Sequence, residues 1–190
     1  NNLLVVNSNS DEISRYSRIN GLTGSNITAL KADDASGTVW IGYANGHIDI
    51  WTSLGISSIA AIEETPSYTG LKRINDISFY NGMAYIATDF GLVEFDIATR
   101  LAGRTLLLGP NYTPVEILSI DINPDGLALA WSPNHPSQDL LLGNITENNP
   151  NWSAPTPAWT ITGSIDHICW HDAEQTFIAA YNDLPTGQSL

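Results

Sequence analysis

Residues 27–43 read Ile27-Thr28-Ala29-Leu30-Lys31-Ala32-Asp33-Asp34-Ala35-Ser36-Gly37-Thr38-Val39-Trp40-Ile41-Gly42-Tyr43, and they align without a gap on residues 165–181, Ile165-Asp166-His167-Ile168 through Thr176-Phe177-Ile178-Ala179-Ala180-Tyr181. Two further copies lie between, opening at Ile74/Ile77 and at Ile117/Ile120, so the Ile-x-x-Ile/Leu signature recurs at steps of 47, 43 and 48 residues. A fixed period of this size marks a stacked repeat architecture. Each copy runs apolar strand, turn, apolar strand. The turns are Asp33–Gly37, Asn81-Gly82, Asn123-Pro124-Asp125-Gly126 and His171–Gln175. Asn-Gly and Asp-Gly supply the positive φ that tight hairpins demand.

A second tight turn follows in the first two copies. Ala44-Asn45-Gly46 precedes His47-Ile48-Asp49-Ile50-Trp51, and Asp89-Phe90-Gly91 precedes Leu92-Val93-Glu94-Phe95-Asp96. Alternation in both marks third strands, and variable fourth strands are expected in Ser57–Ile62 and Arg104–Leu108. No stretch of 11–18 residues carries a helical moment with caps, which excludes an α/β design. Four antiparallel strands per repeat is the pattern of a propeller blade. The expected fold is therefore all-β, a β-propeller of about four blades of four antiparallel strands, forming a single region over 1–190. Blade repeats fall at about 26–70, 74–112 and 117–162, with partial-blade strands in 3–19 and 165–181. Gly42, Ala87, Ala130 and Ala180 stand where neighbouring blades crowd together. The opening strands resemble the outer half of a blade and the closing strands the inner half. Two arrangements are open: a composite blade closing a four-bladed ring, or a fragment of a larger propeller.

Composition narrows the function. The chain has 43% hydrophobic and 14% charged residues, which describes a folded globular protein. It carries 20 Asp+Glu against 7 Lys+Arg, a net charge of −13. Such a surface repels phosphate backbones and anionic lipid, so nucleic acid is not an expected partner. No apolar run long enough to span a membrane occurs. The single cysteine, Cys169, excludes an internal disulfide and multi-cysteine zinc. The chain starts at Asn1, directly before Leu3-Leu4-Val5-Val6, as a mature chain or an excised fragment does.

Gly21-Leu22-Thr23-Gly24-Ser25-Asn26-Ile27, then Gly37-Thr38-Val39-Trp40-Ile41-Gly42-Tyr43 and Asn45-Gly46, resemble the two-component-regulator propeller repeat. Tyr16-Ser17-Arg18-Ile19-Asn20-Gly21-Leu22, Arg73-Ile74-Asn75-Asp76-Ile77 and Tyr85-Ile86-Ala87-Thr88-Asp89-Phe90-Gly91-Leu92-Val93 are similar to PorZ-like proteins, surface propellers of the Bacteroidetes type IX secretion system. The resemblance covers about residues 3–125. Leu129-Ala130-Trp131 replaces the Trp-Ile-Gly core, and Ser132–Trp159 departs from the pattern. What the resemblance implies is a fragment of a longer protein, an extracytoplasmic location (periplasm or outer cell surface), no catalysis, and protein partners or a surface glycan or glycolipid as ligand. The same repeat builds periplasmic glycan sensors of two-component regulators, which stand as the alternative; an enzyme on a propeller scaffold is the third reading. Open propeller ends also make a homodimer a candidate assembly.

Candidate chemistry is sparse. His167, Cys169 and His171 alternate along one strand with Asp172 beside them, in the manner of zinc or copper ligands. Asp33-Asp34-Ala35-Ser36-Gly37 is oxygen-rich but lacks the alternate carboxylates of a calcium loop. Both read as strand and turn residues, and no cofactor or metal is expected. Glu63-Glu64 are neighbours in sequence only and face opposite ways on a strand. No nucleophile elbow, phosphate loop or His-Glu-x-x-His occurs, so no catalytic residue is assigned. Sequons at Asn26, Asn111, Asn144 and Asn151 are expected by chance in this composition. Trp152 and Trp159, in the Pro-rich stretch 149–159, are the candidate contacts for a glycan or peptide.

Overall fold

The computed structural model describes residues 2–156 and 163–182. It contains fifteen strands and one short 3-10 turn. Strands β3 (Ile27–Asp33), β4 (Thr38–Tyr43), β5 (Ile48–Thr52) and β6 (Gly55–Ile59) form one antiparallel sheet in chain order. Strands β7 (Ile74–Tyr80), β8 (Met83–Thr88), β9 (Gly91–Asp96) and β10 (Ala102–Leu106) form the next. A third sheet holds β11 (Ser119–Ile122), β12 (Leu127–Trp131) and β13 (Leu140–Asn144), extended by a bridge between Leu142 and Ser153. Strands β14 (Ser164–His171) and β15 (Thr176–Asn182) pair with each other, as do β1 (Leu3–Val6) and β2 (Ile13–Tyr16). The fold is an all-β propeller. The anticipated fourth strands start two residues earlier than read from sequence, at Gly55 and Ala102.

The sheets stack through their faces. Side chains alternate along a strand, and both sets are buried. Trp40 enters a cluster with Ile48, Ile50, Ile74, Ile77, Ile86 and Phe95, which fills the space between the first two blades. Its neighbours Ile41 and Tyr43 point the other way, onto Leu3, Val5 and Tyr16 of the opening hairpin. The pattern repeats: Ala128 and Ala130 face the second blade, whereas Leu129 and Trp131 face Ile165 and Ile168 of the last hairpin. Gly42 shows how close the blades come. A Cβ there would lie 2.4 Å from Cγ2 of Ile74. Ala87 and Ala130 are likewise buried, while Ala180 is exposed.

Inner strands β3, β7, β11 and β14 run side by side, and hydrogen bonds stitch them. The registers share one irregularity: Ile27 pairs Tyr43 but Ala29 pairs Gly42, and the same skip occurs at Ile74/Asp76 and Ile165/His167. The bulge leaves Thr28 and Asn75 over. Thr28 Oγ1 donates to Ile74 O at 2.5 Å, and Asn75 Nδ2 donates to Ile117 O at 2.9 Å. Thr28 and Asn75 thus each reach the first isoleucine of the following blade. At the third interface Leu118 has no donor to offer, and Ser119 Oγ instead accepts Ile168 N–H at 3.0 Å.

Two buried charges complete the frame. Asp49 is fully buried and accepts from Thr23 N–H (2.8 Å), Thr23 Oγ1 (2.6 Å) and Tyr43 Oη (2.6 Å), which fastens the Gly21-Leu22-Thr23 segment to the first blade. Burial, with the Asp49 carboxylate beside it, pushes the Tyr43 phenol well above its ordinary value. Glu94 receives Arg104 through Nη2 at 2.6 Å and Nε at 2.9 Å. The same guanidinium donates to Glu147 O and Asn148 O, tying the outer edge of the second blade to the third.

The composite closing blade is not formed. Hairpins β1–β2 and β14–β15 are separate two-stranded sheets. The reason lies in their packing: β1–β2 is held against Trp51 and Ile56 on the outer half of the first blade, while β14 sits beside β11 at the inner edge of the third.

Two outcomes test this packing. Gly42→Ala is expected to lower unfolding free energy by about 1–3 kcal/mol in denaturant melts, because the methyl displaces Ile74. Arg104→Met is expected to cost about 3–5 kcal/mol by leaving the Glu94 carboxylate buried and unpaired, and Arg104→Met with Glu94→Leu should recover most of it. A double variant no better than the single one would contradict that account.

Candidate functional site

Antiparallel order places the long connections together. Residues 60–73 join β6 to β7, 107–118 join β10 to β11, and 132–139 join β12 to β13, all at one end of the stack. Long loops on a rigid scaffold are where binding groups concentrate. A recess of about 620 Å³ opens between the β10–β11 connection, the β12–β13 connection and the segment after β13. Its polar lining includes Asn111, Tyr112, His135, Gln138, Asn149 and Asn151, and Trp152 forms part of its wall. No Asp, Glu, Lys or Arg lines it.

Local sequence fixes these groups. Gly109-Pro110 starts a tight 3-10 turn, Pro110–Tyr112, closed by Gly109 N–H to Thr113 O (3.0 Å) and Thr113 Oγ1 to Pro110 O (2.9 Å). The turn holds Asn111 at φ 54° and Tyr112 at φ 57°. Asparagine tolerates this left-handed region; for tyrosine it costs about 1–2 kcal/mol. The backbone is therefore strained in the act of projecting the Tyr112 ring, which is 63% exposed. Asn149 Nδ2 donates to Tyr112 Oη at 2.6 Å and orients the phenol. His135 Nδ1 accepts the N–H groups of Ser137 and Gln138, both at 3.2 Å, which leaves Nε2 as the donor of the neutral ring.

Trp152 lies in this recess, half-buried against the core between the second and third blades. It stacks on Gly143, where a Cβ would meet its ring at 2.7 Å. It is a wall rather than an exposed platform. Trp159 lies outside the described residues. Tyr112 was not singled out by sequence reading, although Gly109-Pro110-Asn111 is a turn signal.

The other candidate groups fall elsewhere. His167 Nδ1 stands 3.9 Å from Asp76 Oδ2 near the inner strands, while His171 Nδ1 accepts Glu174 N–H within its own hairpin turn. Among the described residues no set of three or more His, Cys, Asp or Glu converges as metal ligands do. Asp33 accepts Ala35 N–H and the Ser36 hydroxyl, spending its carboxylate on its own turn. Glu63 pairs with His47 Nδ1 at 2.7 Å and Asn45 Nδ2 at 2.8 Å.

Asp76, on β7, is held by donors from its own strand and from β11. It accepts Ile77 N–H (2.8 Å), Ser119 Oγ–H (2.8 Å) and Ile120 N–H (3.0 Å). Burial nevertheless raises its carboxyl above the ordinary value, against the lowering effect of those bonds and of His167. A value higher in the folded than in the unfolded chain contributes stability below the unfolded value, and that contribution is lost as pH rises through the folded one. The unfolding free energy of the protein relative to Asp76→Asn should accordingly fall as pH is raised through the carboxylate range. A difference that stays flat with pH would refute the assignment.

Radially stacked four-stranded antiparallel sheets with inner strands side by side define a β-propeller module. The family model described as the PorZ N-terminal β-propeller domain of type IX secretion matches residues 1–149, and the chain belongs to that family. Among solved structures it is similar to PorZ, an essential surface component of the type IX secretion system of Porphyromonas gingivalis, at 20% identity and TM-score 0.66. It is also similar to the extracellular domain of a putative one-component system from B. thetaiotaomicron, at 15% identity and TM-score 0.72. These alignments cover 88% and 95% of this chain but 22% and 24% of those two chains, so this chain spans about a quarter of each and corresponds to a fragment of a larger propeller. No curated protein matches it. Among the described residues no helix is long and apolar enough to cross a membrane.

Proposed function

We propose that this chain is a non-catalytic binding and scaffold module of an extracytoplasmic protein that works in type IX secretion, docking protein partners through the end that carries the long connections. The family match over residues 1–149 carries this reading. The geometry supports it: blades stitched by inner-strand hydrogen bonds make a stiff base, and the connections at one end are displayed on it. The surface charge of −13 suits encounter with a neutral or basic protein.

A sensor role is the second reading, favoured by the TM-score of 0.72 to the extracellular domain from B. thetaiotaomicron. That likeness is one of fold, whereas the family match is specific to the secretion propeller. Loss of the gene is expected to abolish export of type IX cargo. A photo-crosslinking residue at the exposed Leu71, on the long-connection end, should capture a secretion component, and one at Leu54, on the opposite end, should not. Normal export without the gene, together with altered transcription, would replace the proposal with the sensor reading.

A further inference from the structure

We infer that the recess around Tyr112 is a binding site for an uncharged saccharide. This goes beyond the scaffold role, and either can fail without the other.

Three observations carry it. The volume, about 620 Å³, falls in the range of about 300–1,000 Å³ that small-ligand sites occupy. The lining is chemically selective: carboxamides from Asn111, Gln138, Asn149 and Asn151, the Nε2 donor of His135, and the rings of Tyr112 and Trp152. Carboxamides offer donor and acceptor together, which matches adjacent hydroxyls of a pyranose, and an exposed aromatic face matches its C–H face. The chain has 20 acidic and 7 basic residues, yet none of them lines this recess.

The same facts disfavour other ligands. An anion would find no cation in the recess and a net charge of −13 around it. An extended peptide would need an open sheet edge, but Leu142 of β13 already exchanges hydrogen bonds with Ser153 at 2.7 and 3.0 Å. The geometry is also built in advance. The 3-10 turn holds the Tyr112 backbone in its left-handed conformation, Asn149 fixes its hydroxyl, and Gly143 leaves room for Trp152 to lie flat against β13. Preorganised groups lose little freedom on binding.

The test is binding of neutral and of sulfated or uronic-acid oligosaccharides to the protein, followed by NMR titration or calorimetry at low and high salt. Neutral oligosaccharides should bind with little dependence on salt. Tyr112→Ala should weaken them about tenfold or more, and Tyr112→Phe, which keeps the ring, should weaken them less. Both variants should melt with the wild type, since the side chain is exposed, and Asn149→Ala offers a second perturbation should either misfold. No neutral saccharide bound at millimolar concentration, binding indifferent to Tyr112→Ala and Asn149→Ala, or binding confined to anionic glycans would each overturn the assignment.

Discussion

The central strands β4, β8, β9 and β12 have no face they can leave in water. Along β4, Trp40 points one way and Ile41 and Tyr43 the other, and all three are at most 1% exposed. A strand apolar on both sides reads as a near-continuous hydrophobic run, and a sheet of such strands is stable only between two neighbours. Burial of this kind gains about 25 cal/mol per Å² of apolar surface, and it is available only to stacked blades. The radial arrangement follows from that demand.

Stacking alone does not fix register between blades, because apolar contact is not directional. Direction comes from the inner strands. The shared bulge turns Thr28 and Asn75 toward the next blade, where each meets the carbonyl of an isoleucine. Asp121 performs a related service further along, accepting Ser78 Oγ–H and Trp170 N–H, both at 2.7 Å. Polar groups near the axis therefore act as keys between sheets, and their chemistry is largely used up by that task. Among the described residues His167, Cys169 and His171, regular in sequence, do not converge as metal ligands do.

Much of this was legible before any coordinates. The gapless correspondence of 27–43 with 165–181 persists as register, since Ile27 pairs Tyr43 and Ile165 pairs Tyr181. Turn residues were readable because positive φ restricts composition: Asn81 and Gly82 sit at 47° and 77°. Gly42 was readable because only the smallest residue suits a position crowded by the next blade. The bulge was not legible, since an extra residue in an aligned repeat leaves the repeat unchanged. The fate of the end hairpins was not legible either, because apolar alternation tells that a strand is covered and not which sheet covers it. Tyr112 escaped notice for a different reason: a bulky residue in left-handed backbone contradicts local propensity, and propensity was the guide.

That contradiction bears on where function resides. Natural chains break local rules chiefly at functional sites, supporting the strain by structure elsewhere. Here the breaks cluster. The third blade lacks the Trp-Ile-Gly core, puts Leu118 where a donor stitched the earlier interfaces, and carries the long 132–139 connection. The segment after β13 leaves the sheet and returns to it at Ser153, and Tyr112 is forced to positive φ beside it. Arg104 reinforces that corner through three carbonyls, those of Ile145, Glu147 and Asn148, so the departure from the repeat is braced from the second blade. That bracing holds the departure from the repeat in place beside an uncharged, aromatic-walled recess, while the first two blades carry the pattern that holds the stack.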